Sequence, residues 1–77
     1  MNNKVLSYGE RAVGLTFNPS NSPLVDKLKR LSANFIDQCN DIRASTDDPE
    51  ITRMMSIAIA ESQAAQMWAV KAATWQS

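Results

Sequence analysis

Between Leu24 and Asp48, and again from Glu50 to Ser77, the chain contains no glycine and no proline. Both glycines, Gly9 and Gly14, and two of the three prolines, Pro19 and Pro23, precede Leu24, and Pro49 is the one later breaker. A chain of 77 residues has room for a single domain. Its punctuation predicts an irregular arm over residues 1–21 and a helical hairpin over 22–77, with the turn at Ser45–Asp48. The expected fold class is all-α: a short N-terminal arm followed by an antiparallel two-helix hairpin.

The first long helix is expected to begin with Asn21 or Ser22 as N-cap and Pro23 at its first position. Leu24, Leu28, Leu31, Phe35, Cys39 and Ile42 recur in steps of four and three, the period of one helical face. Val25 and Ile36 widen that stripe, and Lys27, Arg30, Asn34, Asp37 and Asp41 mark the opposite side. Asp47 or Asp48 caps the second helix, with Pro49 at its first position and Glu50 favouring the helix dipole. Met54 or Met55, Ala58, Ser62, Ala65, Ala69 and Ala72 form a seam of mostly small residues on it. Ile57, Ile59, Ala64, Met67, Trp68, Val70 and Trp75 spread over its other faces, more than one neighbouring helix can cover. Such a short domain is marginal alone, and its single cysteine, Cys39, excludes an internal disulfide. The chain is therefore expected to assemble into a helical homo-oligomer. The conformation of Val5 to Phe17 is open: a short helix, a short strand, or neither.

Composition excludes several chemistries. Histidine is absent, which removes Ser-His and Cys-His nucleophilic pairs and any Cys/His zinc cluster. There is no phosphate loop and no calcium-binding loop. Asp37 and Asp41 stand one turn apart, but solvated helix charges account for them better than a shared cation. Binding without turnover is the expectation, with no cofactor. No apolar run approaches the roughly 20 residues of a membrane span, and Met1–Lys4 leads into no signal-peptide core, so a cytoplasmic location is expected.

Formal charge sums to zero, yet it is uneven. Residues 1–31 carry Lys4, Arg11, Lys27, Lys29 and Arg30 against Glu10 and Asp26, for +3, whereas residues 32–50 carry Arg43 against five acids, for −4. The basic end coincides with the arm and the start of the first long helix, where unpaired N–H groups favour anions. Asn18, Ser20 and Thr16 supply hydrogen-bonding side chains there, and Lys27 lies just over one turn inside the helix. Arg11 offers a bidentate phosphate contact, and Tyr8 and Phe17 offer faces on which a base can stack. The pattern suits a small phosphate-bearing nucleotide better than a nucleic acid polymer. Each residue also has an ordinary structural reading. Asn, Pro and Ser before a helix are common turn and capping residues. Lys27, Lys29 and Arg30 suit a solvated face, Tyr8 and Phe17 can simply dock the arm, and Trp68, Trp75 and Cys39 suit packing.

The run Leu6-Ser7-Tyr8-Gly9-Glu10-Arg11-Ala12-Val13-Gly14-Leu15-Thr16-Phe17-Asn18-Pro19-Ser20, followed by Val25-Asp26-Lys27-Leu28-Lys29-Arg30-Leu31, resembles a phage family of small anti-CBASS sponges. Their hairpin domain is shared with anti-Thoeris sponges for cyclic ADP-ribose signals. The stretch from Met55 to Lys71 is similar to their second hairpin helix. The resemblance implies homo-oligomers, typically hexamers, that hold cyclic dinucleotides intact in pockets between protomers. It also implies that Tyr8 stacks on a base and Lys27 contacts phosphate. Some members hold cyclic trinucleotides through an arginine and a threonine on the second helix, where this chain has Ile59 and Ala60. The expected function is sequestration of cyclic oligonucleotide immune signals, cyclic dinucleotides first. The alternatives are a sponge for cyclic ADP-ribose isomers and a structural or adaptor hairpin with no small ligand.

Overall fold

The computed structural model describes residues 5–76 and contains three helices, α1 (Tyr8–Ala12), α2 (Pro23–Ala44) and α3 (Pro49–Ala73). No strand occurs among the described residues. Both long helices start at the expected caps. The Ser22 hydroxyl accepts from the Val25 N–H at 3.4 Å, and the Asp48 carboxylate accepts from the Glu50 N–H at 2.9 Å. Pro23 and Pro49 follow at the first helical positions, where a missing N–H costs nothing. The linker then turns α3 back onto α2, and these two helices form the hairpin.

The arm contains a helix. Its start is a capping box: the Ser7 hydroxyl accepts from the Glu10 N–H at 3.1 Å, and the Glu10 carboxylate accepts from the Ser7 N–H at 2.8 Å. Its end is a Schellman turn, in which Gly14 takes a left-handed φ of 62° and the Leu15 N–H reaches the Glu10 carbonyl at 3.0 Å. Lys4, counted above among the basic residues of the arm, lies outside the described residues.

Val13 of the arm joins Ala33, Ile36 and Cys39 of α2 and Ile59 of α3 in one buried cluster, against which Ala12, Leu15, Met55 and Ala58 pack. The arm is thus part of the core. Each large aliphatic buried there contributes about 1.5–3 kcal/mol, so three segments are held by one small set of contacts.

The inward face of α2 overlaps the apolar stripe picked out by the periodicity only at Val25, Ile36 and Cys39. Val25, Lys29, Ala33, Ile36 and Cys39 are buried, whereas Leu24, Leu31, Phe35 and Ile42 are exposed, Leu31 to 61% and Phe35 to 53%. At 100° per residue the two faces lie roughly a third of a turn apart, with Cys39 near their shared edge. The arm and α3 select the face that has small side chains for close approach and a lysine with acceptors to meet. On α3, Ile59 and Gln66 are the buried residues. Of the small-residue seam, Ala65 and Ala72 are exposed and Met55, Ala58, Ser62 and Ala69 half-buried.

The molecule measures 46 × 38 × 12 Å along its principal axes. The arm reaches both hairpin helices: Val13 shares the buried cluster with α2 and α3, and Gln63 of α3 donates to the Ala12 carbonyl. Leu24, Leu31 and Phe35 on α2, Met67 and Trp68 on α3, and Trp75 just beyond it remain at the surface. No helix among the described residues is long and apolar enough to cross a membrane.

Candidate functional site

The arm runs along α2 from its C-terminal half toward its N-terminus, held by side chains at every stage. Near the start, the Asp37 carboxylate accepts from the Ser7 hydroxyl and from the Gly9 N–H, both at 2.6 Å. Arg30 pairs with Glu10 at 2.8 Å, and the Gln63 amide donates to the Ala12 carbonyl at 3.3 Å. Lys29, only 5% exposed, donates from Nζ to the Gly14 carbonyl at 3.0 Å and to the Phe17 carbonyl. Its ammonium lies 5.4 Å from the Phe17 ring centroid. Lys29 is therefore a buried clamp on the turn, and the solvated-face reading of it is corrected. The Gly14 carbonyl also accepts from the Phe17 N–H at 2.9 Å, so Lys29 adds a second donor there and supplies one to the Phe17 carbonyl, which explains why a lysine occupies a core position. Asp37, read as a solvated charge or half of a cation site, is occupied in holding the arm.

Beyond the clamp, Asn18 donates to the Ser22 carbonyl and to Asp26 Oδ1, both at 2.9 Å, and the Ser20 hydroxyl donates to Asn18 Oδ1 at 2.8 Å. Asn21 takes a left-handed φ of 54° that aims the chain into α2. Phe17, Asn18, Pro19 and Ser20 line a cavity of about 240 Å³ whose walls include Val25 and Lys29 of α2 and Val70 of α3. The end of α3 thus meets the start of α2 across the arm.

The seven residues singled out in the sequence fall into separate places. Phe17, Asn18 and Ser20 share this cavity, and Thr16 is exposed on the turn beside it. Lys27 is exposed and, two residues from both Val25 and Lys29, projects from the other side of α2. Arg11 is exposed on α1. Neither the Lys27 nor the Arg11 side chain makes an ion pair or hydrogen bond among the described residues. Tyr8 lies at the far end of the arm, where the Arg43 guanidinium sits 5.5 Å from its ring centroid. Arg43 stands sixteen residues from Lys27, about 24 Å along the helix at 1.5 Å per residue. One chain does not bring Tyr8 and Lys27 to one ligand. Lys29, Asp37 and Arg43, which the sequence offers only as charges, are the side chains that hold the arm. The Ser7–Glu10 capping signature, S-x-x-E, was the available signal that this part of the arm is ordered against something.

The family model described as Acb2/Tad1, hairpin domain, matches residues 10–74. The chain belongs to this family. Comparison with curated proteins and with solved structures returned no match. The Acb2/Tad1 family is one of anti-CBASS and anti-Thoeris sponges for cyclic nucleotide signals. Its matched span begins inside α1 and ends at the last turn of α3. The turn held by Lys29 is therefore within the Acb2/Tad1 hairpin domain.

Proposed function

We propose that the chain is a cytoplasmic, homo-oligomeric sponge that sequesters cyclic dinucleotides without cleaving them. Membership of the sponge family carries the reading. Tyr8 stacks on a base, Phe17 walls the pocket, Arg11 and Lys27 neutralise phosphates, and Thr16, Asn18 and Ser20 supply hydrogen bonds. Two exposed cations with no protein partner among the described residues support an anionic ligand. The separation of Tyr8 from Lys27 along α2 supports a pocket built between protomers, with the two residues contributed by different chains. The apolar stripe Leu24, Leu31, Phe35 and Ile42 supplies a surface for assembly, and a hexamer satisfies both needs.

The experiment incubates purified protein with cyclic dinucleotides, cyclic trinucleotides and cyclic ADP-ribose isomers, then denatures it and assays each ligand. Depletion of cyclic dinucleotide followed by intact recovery is the expected outcome. Recovery of a cleaved product overturns the sponge reading in favour of an enzyme. Depletion of cyclic ADP-ribose isomers alone moves the specificity to the other branch of the family. No depletion at all leaves an adaptor hairpin.

A further inference from the structure

Five residues are too few for a helix to persist by itself in water. The position of α1, and of Tyr8 at its first turn, is therefore set by its tethers. Two of these converge on Tyr8. From one side, Asp37 takes the Ser7 hydroxyl and the Gly9 N–H at 2.6 Å each, gripping the residues on either side of Tyr8. Gly9 is buried against α2, where a Cβ would overlap the Ala33 carbonyl oxygen and come within 2.8 Å of Asp37 Oδ1. From the other side, Arg43 lies over the Tyr8 ring while donating to Asn40 Oδ1 at 2.8 Å and to the Ser56 hydroxyl at 3.0 Å. The guanidinium is thereby fixed to both α2 and α3, and the Tyr8 ring keeps 38% exposure for the residue as a whole.

We infer that Asp37 and Arg43 are positioning residues for Tyr8, holding its ring at a fixed height and angle so that a base stacks on its open face. The inference rests on the reading of Tyr8 as a ligand contact. Neither residue needs to touch the ligand. Asp37 removes the freedom of the backbone around Tyr8, and Arg43 occupies one face of its ring. Binding then orders less of the protein, and affinity rises for that reason.

Tyr8 is the sole tyrosine of the chain, so protein grown with fluorotyrosine gives one fluorine NMR resonance, from this ring. The experiment compares wild type with Asp37→Ala, Asp37→Asn and Arg43→Lys, reading that resonance, the affinity for cyclic GMP–AMP, and the assembly mass. Wild type is expected to show a resonance displaced from that of unfolded protein. Asp37→Ala shifts it toward the unfolded position and weakens binding about tenfold or more, the scale expected for losing hydrogen bonds to a charged acceptor. Asp37→Asn, which keeps an acceptor for the Gly9 N–H, restores much of both. Arg43→Lys, which cannot lie flat on the ring while holding Asn40 and Ser56, moves the resonance. All three keep the wild-type mass. If Asp37→Ala does not fold, Ser7→Ala removes one of the two carboxylate bonds and is read in the same way. A resonance unmoved by these variants overturns the proposal. A resonance that moves while affinity stays at the wild-type level also overturns it, because Tyr8 is then no ligand contact. In that case recovery of intact ligand from wild type decides the sponge reading independently.

Discussion

A glycine inside a helix normally weakens it, and alanine in its place normally stabilises by up to about 1 kcal/mol. At Gly9 the sign reverses, because the added methyl would meet the Ala33 carbonyl of the neighbouring helix. Gly9→Ala is expected to destabilise the fold by about 1–3 kcal/mol, the usual scale of overpacking. A lowered midpoint in chemical denaturation checks it, and an unchanged midpoint would mean that α1 lifts away without loss. Lys29 presents the converse case of a charge in a core position. Lys29→Met keeps the aliphatic stem but removes the ammonium from the Phe17 carbonyl and from the Gly14 carbonyl, which keeps only its bond from the Phe17 N–H. The expected loss is about 1–3 kcal/mol, together with weaker ligand binding, because Phe17 and Asn18 then lie on a looser turn. Denaturation and calorimetry on the same variant read the two effects, and wild-type values in both would show that water replaces the ammonium.

The helices divide into what local chemistry decides and what it does not. The starts of α2 and α3 were legible because Ser22-Pro23 and Asp48-Pro49 act within a few residues of themselves. The arm was left open, although Ser7 and Glu10 spell a capping box, because the run from Val13 to Phe17 competes as a strand. The inward face of α2 is only partly legible: Val25, Ile36 and Cys39 of the apolar stripe are buried, whereas Leu24, Leu31, Phe35 and Ile42 are exposed and Lys29 and Ala33 turn inward instead. Leu24, Leu31 and Phe35 outrank Val25, Ala33 and Lys29 in hydrophobicity, and only the arm and α3 reveal which face the protomer uses. The exposed part of the stripe is still informative. On a solvated helix face a charge substitution stays within roughly ±0.5 kcal/mol. Phe35→Asp is instead expected to lower both the melting temperature and the assembly mass, since a buried unpaired carboxylate opposes association. Sedimentation showing wild-type mass would remove α2 from the interface. The grouping of the proposed site residues was not legible in the sequence, because Tyr8 and Lys27 lie on different parts of one chain.

On the scale of the whole molecule, the buried cluster is small. On the proposed homo-oligomeric reading, a stable fold draws on contacts with other copies, and linkage makes stability depend on protein concentration. The melting temperature is expected to rise with each tenfold increase in concentration, tracked by calorimetry, whereas an isolated monomer would melt at one temperature throughout. The distance between Tyr8 and Lys27 along α2 has a last consequence. A pocket completed by a second chain does not exist until chains meet. On the proposed reading, uptake capacity at low copy number therefore climbs more steeply than the amount of protein made. A cell producing the chain slowly passes through an interval with polypeptide present and no signal withdrawn, and the immune signal is removed only after a threshold dose.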